Sequence, residues 1–288
     1  METLTNQLKT FAKTAGADLI GIAPIERFER LPAQHHPDSI QPGVRSVIVI
    51  GKRITRGTLR GVEEGTQFDN YYYYGSAWLK MRVLATATFR VAEFIEDNGW
   101  EAVPIQDLPV EVPPMGIAVR PDQPAPNVMI DVTDAAVRAG VGEIGYCGMF
   151  LTPEFGPRQR LQIVLTTAEL EPDDLLKDSV CSHCRDHVKF CPNGAISADG
   201  EKTITICGKD MLVASIDDSK CRECKNGANL NSDYPSAKTE RYGALCTRSC
   251  IDYLEKEGRL TRAFRNPFRV RKPWAIVHET RSLRPEEM

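Results

Sequence analysis

Apolar residues at Leu4, Leu8, Phe11 and Ala15 line one face of a helix, and Gly16 follows them as a stop. Asp18-Leu-Ile-Gly-Ile-Ala23, closed by Pro24, is short and apolar enough for a buried strand. Residues 24–45 hold four prolines and the pair His35-His36; they read as a loop with the histidines solvated. Ser46-Val-Ile-Val-Ile-Gly51, β-branched and continuous, is the clearest strand in the chain. An unbroken run, Tyr71 to Tyr74, precedes a helix predicted over 76–98, with Trp78, Met81, Leu84, Ala85, Phe89, Ala92 and Ile95 as its apolar face and Gly99 as its stop. In such a tyrosine run at least one ring is expected inside and one outside. Ala102-Val-Pro-Ile105 reads as a returning strand, and residues 106–127, with six prolines, as an irregular segment suited to a lid or pocket wall.

Thr133 to Ala139 predicts a short helix, capped at its start, running into Gly140-Val-Gly-Glu-Ile-Gly145. Glycines so close together mean backbone packed tightly against a neighbour or held at positive φ. They follow a helix rather than a strand, so they are no dinucleotide fingerprint. Leu151-Thr-Pro-Glu-Phe-Gly-Pro157 is a turn and Leu161-Gln-Ile-Val-Leu-Thr166 a strand. Helix and strand thus alternate over the first 170 residues, which predicts a layered α/β or α+β fold. The acidic stretch 169–178 marks a boundary. Beyond it, Thr203 to Cys207 and Met211 to Ile216, joined through Gly208-Lys-Asp, read as a hairpin. From Gly258 the chain is basic, with Arg259, Arg262, Arg265, Arg269, Arg271 and Lys272 interleaved with Phe264, Phe268 and Trp274. That tail is either a phosphate or nucleic-acid contact or a strap fastened by its aromatics.

Over 288 residues, 42% hydrophobic and 26% charged content is ordinary for a soluble globular protein, and a net charge of −3 gives no global pull toward nucleic acid. No run of 18 apolar residues occurs, and the N-terminal residues carry neither a secretory nor a twin-arginine signal; no membrane partner is expected and the cytoplasm is. There, nine cysteines point to metal ligation rather than disulfides.

Eight of the nine lie between Cys181 and Cys250, a crowding that burial as small hydrophobes does not explain. Cys181-Ser-His-Cys184-Arg-Asp-His187-Val-Lys-Phe-Cys191-Pro192 has the spacing of the bacterial ferredoxin run, with His187 in the third ligand's place. That spacing wraps a loop and the first turn of a helix around a four-iron cluster, while the fourth cysteine points to a second one. Cys221, Cys224, Cys246 and Cys250 are enough for that second cluster. A zinc ribbon on the Cys-x-x-Cys pairs 181/184 and 221/224 is the rival reading, disfavoured by the Cys-Pro ending and the surplus of cysteines.

Ala139-Gly-Val-Gly-Glu-Ile-Gly-Tyr-Cys-Gly-Met-Phe-Leu-Thr-Pro-Glu-Phe-Gly-Pro-Arg158, then Leu170-Glu-Pro-Asp173, then a cysteine run ending in Cys191-Pro-Asn-Gly-Ala-Ile196, resembles the cluster-proximal part of corrinoid-dependent reductive dehalogenases. More loosely it is similar to epoxyqueuosine reductases. The resemblance covers roughly residues 131–255. It implies an α+β protein with a nitroreductase-like cobalamin-binding domain (1–174), a ferredoxin-like domain with two [4Fe-4S] clusters (175–257) and the basic tail (258–288). The clusters would pass single electrons to cobalt for reductive dehalogenation or deoxygenation of a small organic substrate, supplied by an external donor such as ferredoxin or flavodoxin.

Carried over residue by residue, the resemblance gives the first cluster Cys181, Cys184, His187 and Cys250, and the second Cys191, Cys221, Cys246 and one more, Cys224 or Cys207. His187 departs from the family's cysteine and is either an imidazole ligand or a residue beside a three-cysteine cluster. Corrin contacts are expected at Gly140, Gly142, Glu143, Gly145, Thr152, Pro153, Phe155 and Gly156. The proton donor is expected at Asp131, in Met129-Ile-Asp-Val-Thr133, followed by Tyr72, Tyr73 and Tyr146. Tyr146 stands where dehalogenases often have a basic residue, which weakens a halogenated substrate. A tRNA substrate is disfavoured because no helical-repeat extension is present. Two alternatives stay open: a cluster-bearing electron-transfer protein that docks a partner enzyme without any corrin, and a flavin-dependent reductase on the same fold.

Overall fold

The computed structural model describes residues 2–107, 109–231 and 234–277; of the tail expected over 258–288, residues 278–288 lie outside the described residues. The chain divides into two units built from interleaved segments. Unit 1 comprises Met1–Arg53, Leu79–Val141 and Arg160–Lys177; unit 2 comprises Ile54–Trp78, Gly142–Gln159 and the chain from Asp178 onward. This differs from the contiguous 1–174, 175–257 and 258–288 domains expected. Segments 54–78 and 142–159 group with the cysteines because their buried polar groups find partners there: Glu63 with Arg248, Tyr71 with Glu240, and Glu143 with the Cys181 N–H.

In unit 1 four strands pair in the order Leu19–Pro24, Ser46–Arg53, Gln159–Thr166, Ala102–Ile105. The first two run antiparallel, as do the last two. Pro104 is tolerated because its strand is at the edge, where a missing N–H breaks no ladder. Ile48 and Ile50 face a core made by Leu8 and Ala12 of the helix Leu4–Thr14 and by Val91, Ala92 and Ile95 of the helix Ala85–Asp97. Phe11 stacks on Phe94 between the two helices, ring centroids 4.7 Å apart. The helix Val132–Arg138 packs on the first two strands; Gly21 is required beneath its end, where a Cβ would collide with Ala139 and Val141.

The predicted helix over 76–98 begins earlier, at Asp69, and takes in the tyrosine run. It is α-helical at Asp69–Tyr71, widens to π geometry over Tyr72–Ala77 and Leu79–Leu84, and returns to α at Ala85. Tyr71 is the buried ring of the run, seated against Gly75 and Gly243, while Tyr72, Tyr73 and Tyr74 are exposed.

Unit 2 is built on the hairpin Ile196–Ile206 and Lys209–Ile216, turned by Cys207 and Gly208, both at positive φ as a two-residue hairpin turn requires. A smaller ribbon pairs Glu143–Ile144 with Phe150–Leu151 and is tied to the hairpin by the Ala214 N–H on Tyr146 O, 2.8 Å. The helix Leu245–Lys256 is buried along most of its length. Its Arg248 pairs with Glu63, which also receives Arg269, so two cations share one buried carboxylate. Trp274 donates its indole N–H to Glu63 O at 2.9 Å and Phe268 is buried, so the described part of the tail is fastened to this unit.

Candidate metal centres

The loop that opens the cysteine run turns through two left-handed residues, His183 (φ 55°) and Arg185 (φ 62°), before the short helix Asp186–Phe190. Non-glycine residues adopt that conformation only when something over-determines it. Here it turns the loop around its own thiols. The Tyr146 N–H points at Cys181 Sγ, 3.4 Å, and the Ala195 N–H at Cys191 Sγ, 3.2 Å. Amides aimed at sulfur favour thiolate over thiol and are among the devices that tune iron–sulfur clusters. Glu143, buried beneath, accepts from the Cys181 N–H at 2.7 Å and from the Ser179 hydroxyl, and Lys209 neutralises it at 3.1 Å.

Cys246 and Cys250 are four residues apart on the helix Leu245–Lys256 and so share its face. The short helix Asp186–Phe190, carrying His187, packs against it. The thiols influence one another: Cys250 feels Cys147, Cys181, Cys184 and also Cys246, whereas Cys221 and Cys224 each feel Cys246 and Cys191. The second group lines a small pocket, partly open to solvent, in which Cys191, Cys221, Cys224 and Cys246 stand with Arg241, Lys220, Asn193 and apolar side chains. Burial pushes the Cys221 thiol up to about 12 and raises Cys181, Cys184, Cys224, Cys246 and Cys250 as well. Buried thiols of this kind ionise when a metal supplies the missing positive charge.

His187 is 2% exposed, and neither of its ring nitrogens has a hydrogen-bond partner. Burial lowers its pKa to about 4, against a smaller opposing pull from Asp186, so the ring is neutral near pH 7. Buried polar atoms without partners are costly, and a neutral imidazole is a metal ligand. The chemistry of the donor sets therefore fits two clusters. Among the described residues, no group of three or more His, Cys, Asp or Glu side chains is placed to hold a single metal ion.

The residues expected at a corrin have these neighbours within the protein. A Cβ at Gly140 would collide with Asp174 O, and one at Gly142 with Leu151 O; Gly145 packs on Leu151. Glu143 is the anchor of the Cys181 loop. Thr152 is wholly buried, accepts from the Phe155 N–H at 3.2 Å and bridges to Gly156. Pro153 O accepts from the Thr261 N–H at 2.9 Å. Among the expected proton donors, Tyr146 is buried, stacks on His187 and gives its hydroxyl to Glu201, and burial raises its pKa. Asp131, in unit 1, caps the helix Val132–Arg138, accepting from Thr133 N–H at 2.8 Å and Asp134 N–H at 3.1 Å. Tyr72 and Tyr73, in unit 2, keep exposed rings set edge to face, 5.1 Å apart.

Two residues of the centre carry no motif. Cys147 lies outside the cysteine run, yet its thiol is buried and acts on Cys181, Cys246 and Cys250. Its signal in the sequence is a cysteine set between the close glycines Gly145 and Gly148. Arg241 is a single basic residue just ahead of Tyr242-Gly-Ala-Leu-Cys246, and nothing in the sequence marks it.

No family model matches the chain. The relatives it resembles are reductases. A tetrachloroethene reductive dehalogenase of Desulfitobacterium hafniense is 30% identical over 125 residues, 42% of this chain and 19% of the relative. An epoxyqueuosine reductase of Listeria monocytogenes is 35% identical over 79 residues, 27% of this chain and 21% of the relative. Among solved structures, the fold is shared with a reductive dehalogenase described as suggesting a mechanism for B12-dependent dehalogenation (TM-score 0.54, 17% identity, 88% of this chain, 34% of that one). It is shared also with a catabolic reductive dehalogenase (TM-score 0.51, 19% identity, 75% of this chain, 28% of that one). The chain spans about a fifth of the curated relatives named here. No helix among the described residues is long and apolar enough to cross a membrane.

Proposed function

We propose that this chain is an iron–sulfur reductase of the reductive dehalogenase and epoxyqueuosine reductase kind, in which unit 2 is a ferredoxin-like module holding two [4Fe-4S] clusters. Cys181, Cys184, His187 and Cys250 hold one; Cys191, Cys221, Cys224 and Cys246 hold the other. The observation that carries this reading is the pocket walled by Cys191, Cys221, Cys224 and Cys246, together with a buried histidine, His187, whose ring nitrogens have no hydrogen-bond partner. The electron acceptor is a corrinoid, argued from the fold shared with a B12-dependent enzyme, and unit 1 is its nitroreductase-like half. When bound, a corrinoid supplies low-valent cobalt for reductive cleavage of a carbon–halogen or carbon–oxygen bond, and the clusters supply one electron at a time.

The protein's own part is to exclude water from the buried thiols, to aim the Tyr146 and Ala195 amides at sulfur, and to hold His187 neutral and ready to ligate. The candidates to give a proton to a small organic substrate are Asp131 and the exposed phenols Tyr72 and Tyr73. Electrons enter from an external one-electron donor.

A second reading is an electron carrier without corrin, built on the same cysteine sets. Iron and cobalt analysis of anaerobically reconstituted protein, with and without added cobalamin, separates the two. About eight irons with one retained cobalt supports the reductase, and about eight irons without cobalt supports the carrier.

A further inference from the structure

Arg241, half-buried, differs in its partners from Arg56, Arg248 and Arg269 of unit 2. Arg56 has Glu255, and Arg248 and Arg269 have Glu63. Arg241 Nη2 donates to Cys147 O at 2.8 Å, while Nη1 is buried with no hydrogen-bond partner. The groups that act on it are thiols, negative only once ionised, Cys246 first, then Cys147 and Cys221, and it lines the same pocket as Cys191 and Cys224. Its charge acts in return on Cys221, Cys246 and His187. A guanidinium turned inward without a carboxylate is costly, and four thiolates around a cluster would carry the anion this one lacks.

We propose that Arg241 is a positioning residue that sets the reduction potential of the cluster held by Cys191, Cys221, Cys224 and Cys246. The inference rests on the two-cluster reading. Reduction adds one electron, taken from a low-potential one-electron donor, and so one negative charge to the cluster; no bond is made or broken. A guanidinium at the pocket wall stabilises the reduced form more than the oxidised one, because the added charge falls beside it, and so raises the potential. The first cluster, which the same charge meets mainly through His187, feels it less.

The test compares wild type, Arg241→Lys and Arg241→Gln as full-length, anaerobically reconstituted protein, using iron content and a dithionite redox titration followed by electron paramagnetic resonance. Cys191→Ser assigns which signal belongs to the second cluster. With iron content unchanged, Arg241→Gln lowers the midpoint of the second cluster more than that of the first, and Arg241→Lys recovers part of the difference. Loss of the second cluster in Arg241→Gln but not in Arg241→Lys also supports a counter-charge. Unchanged midpoints at full iron content, equal shifts in both clusters, or cluster loss in both variants with native circular dichroism overturn it. A wild-type protein that takes up no iron refutes the cluster reading itself, and does so before any variant is compared.

Discussion

The imidazole of His187 lies stacked on the ring of Tyr146, centroids 5.8 Å apart and planes inclined by 29°, and Tyr146 is tied in turn to Glu201. The stack holds the imidazole in one place while leaving both its nitrogens without partners. A ligand residue needs that arrangement, and a residue merely filling space does not.

His187→Ala should therefore strip the first cluster, taking iron from about eight to about four per chain. His187→Cys should keep all of it and lower that cluster's potential, since thiolate in place of imidazole adds a negative charge. Iron analysis and redox titration read both outcomes. Full iron with unaltered spectra in the alanine variant would rule out ligation.

The same burial gives the cluster-free protein a pH signature. The folded ring has its pKa lowered from 6.5 to about 4. Below pH 6.5 the unfolded chain takes up a proton that the folded ring refuses, so stability falls as the pH drops from about 6.5 to about 4 and levels off below that. The loss amounts to about 3 kcal/mol. Urea denaturation at a series of pH values should show that slope, and His187→Gln should flatten it.

Cys224 lines the pocket of the second group, whereas Cys207 sits in the hairpin turn. Cys224→Ser should cost that cluster roughly its four irons and Cys207→Ser none. Cys191→Ser should damage the second cluster and leave the first. Selective loss of the first cluster in Cys191→Ser would break the crossed assignment.

Gly140 is at φ +72° and has no room for a Cβ against Asp174 O. Gly140→Ala should lower stability by about 2–4 kcal/mol through strain and collision together. Because packing is the cause, thermal melts should show the same loss with and without cobalamin; a loss confined to the cofactor-loaded protein would return Gly140 to the corrin.

What could be read in advance was what local chemistry dictates. Val47 to Ile50 can only be a buried strand, and the Cys-x-x-Cys spacing around Cys181 needs no distant partner to be recognised. The helical start at Asp69 could not be read, because Tyr71 is held by Gly243 and Glu240, far along the chain. For Glu143 and the glycines beside it, sequence shows that backbone must come close to something; the structure adds Leu151 O against Gly142 and the Cys181 N–H on Glu143. Arg241 is invisible for the same reason: its partners are thiols and a carbonyl brought to it by folding.

The chain crosses between its units at Arg53, Trp78, Val141, Gln159 and Lys177. During synthesis every segment of unit 1 has therefore left the ribosome before most of unit 2 exists. Glu63 must wait through 185 residues for Arg248, and Tyr71 through 169 for Glu240. Closing such long loops is slow, and the early pieces stay exposed meanwhile. The cysteine-rich half is thus the last to assemble and cannot be excised as a contiguous fragment: cut from residue 178 onward, it would lack the carboxylate that neutralises Arg248 and the amide that meets Cys181.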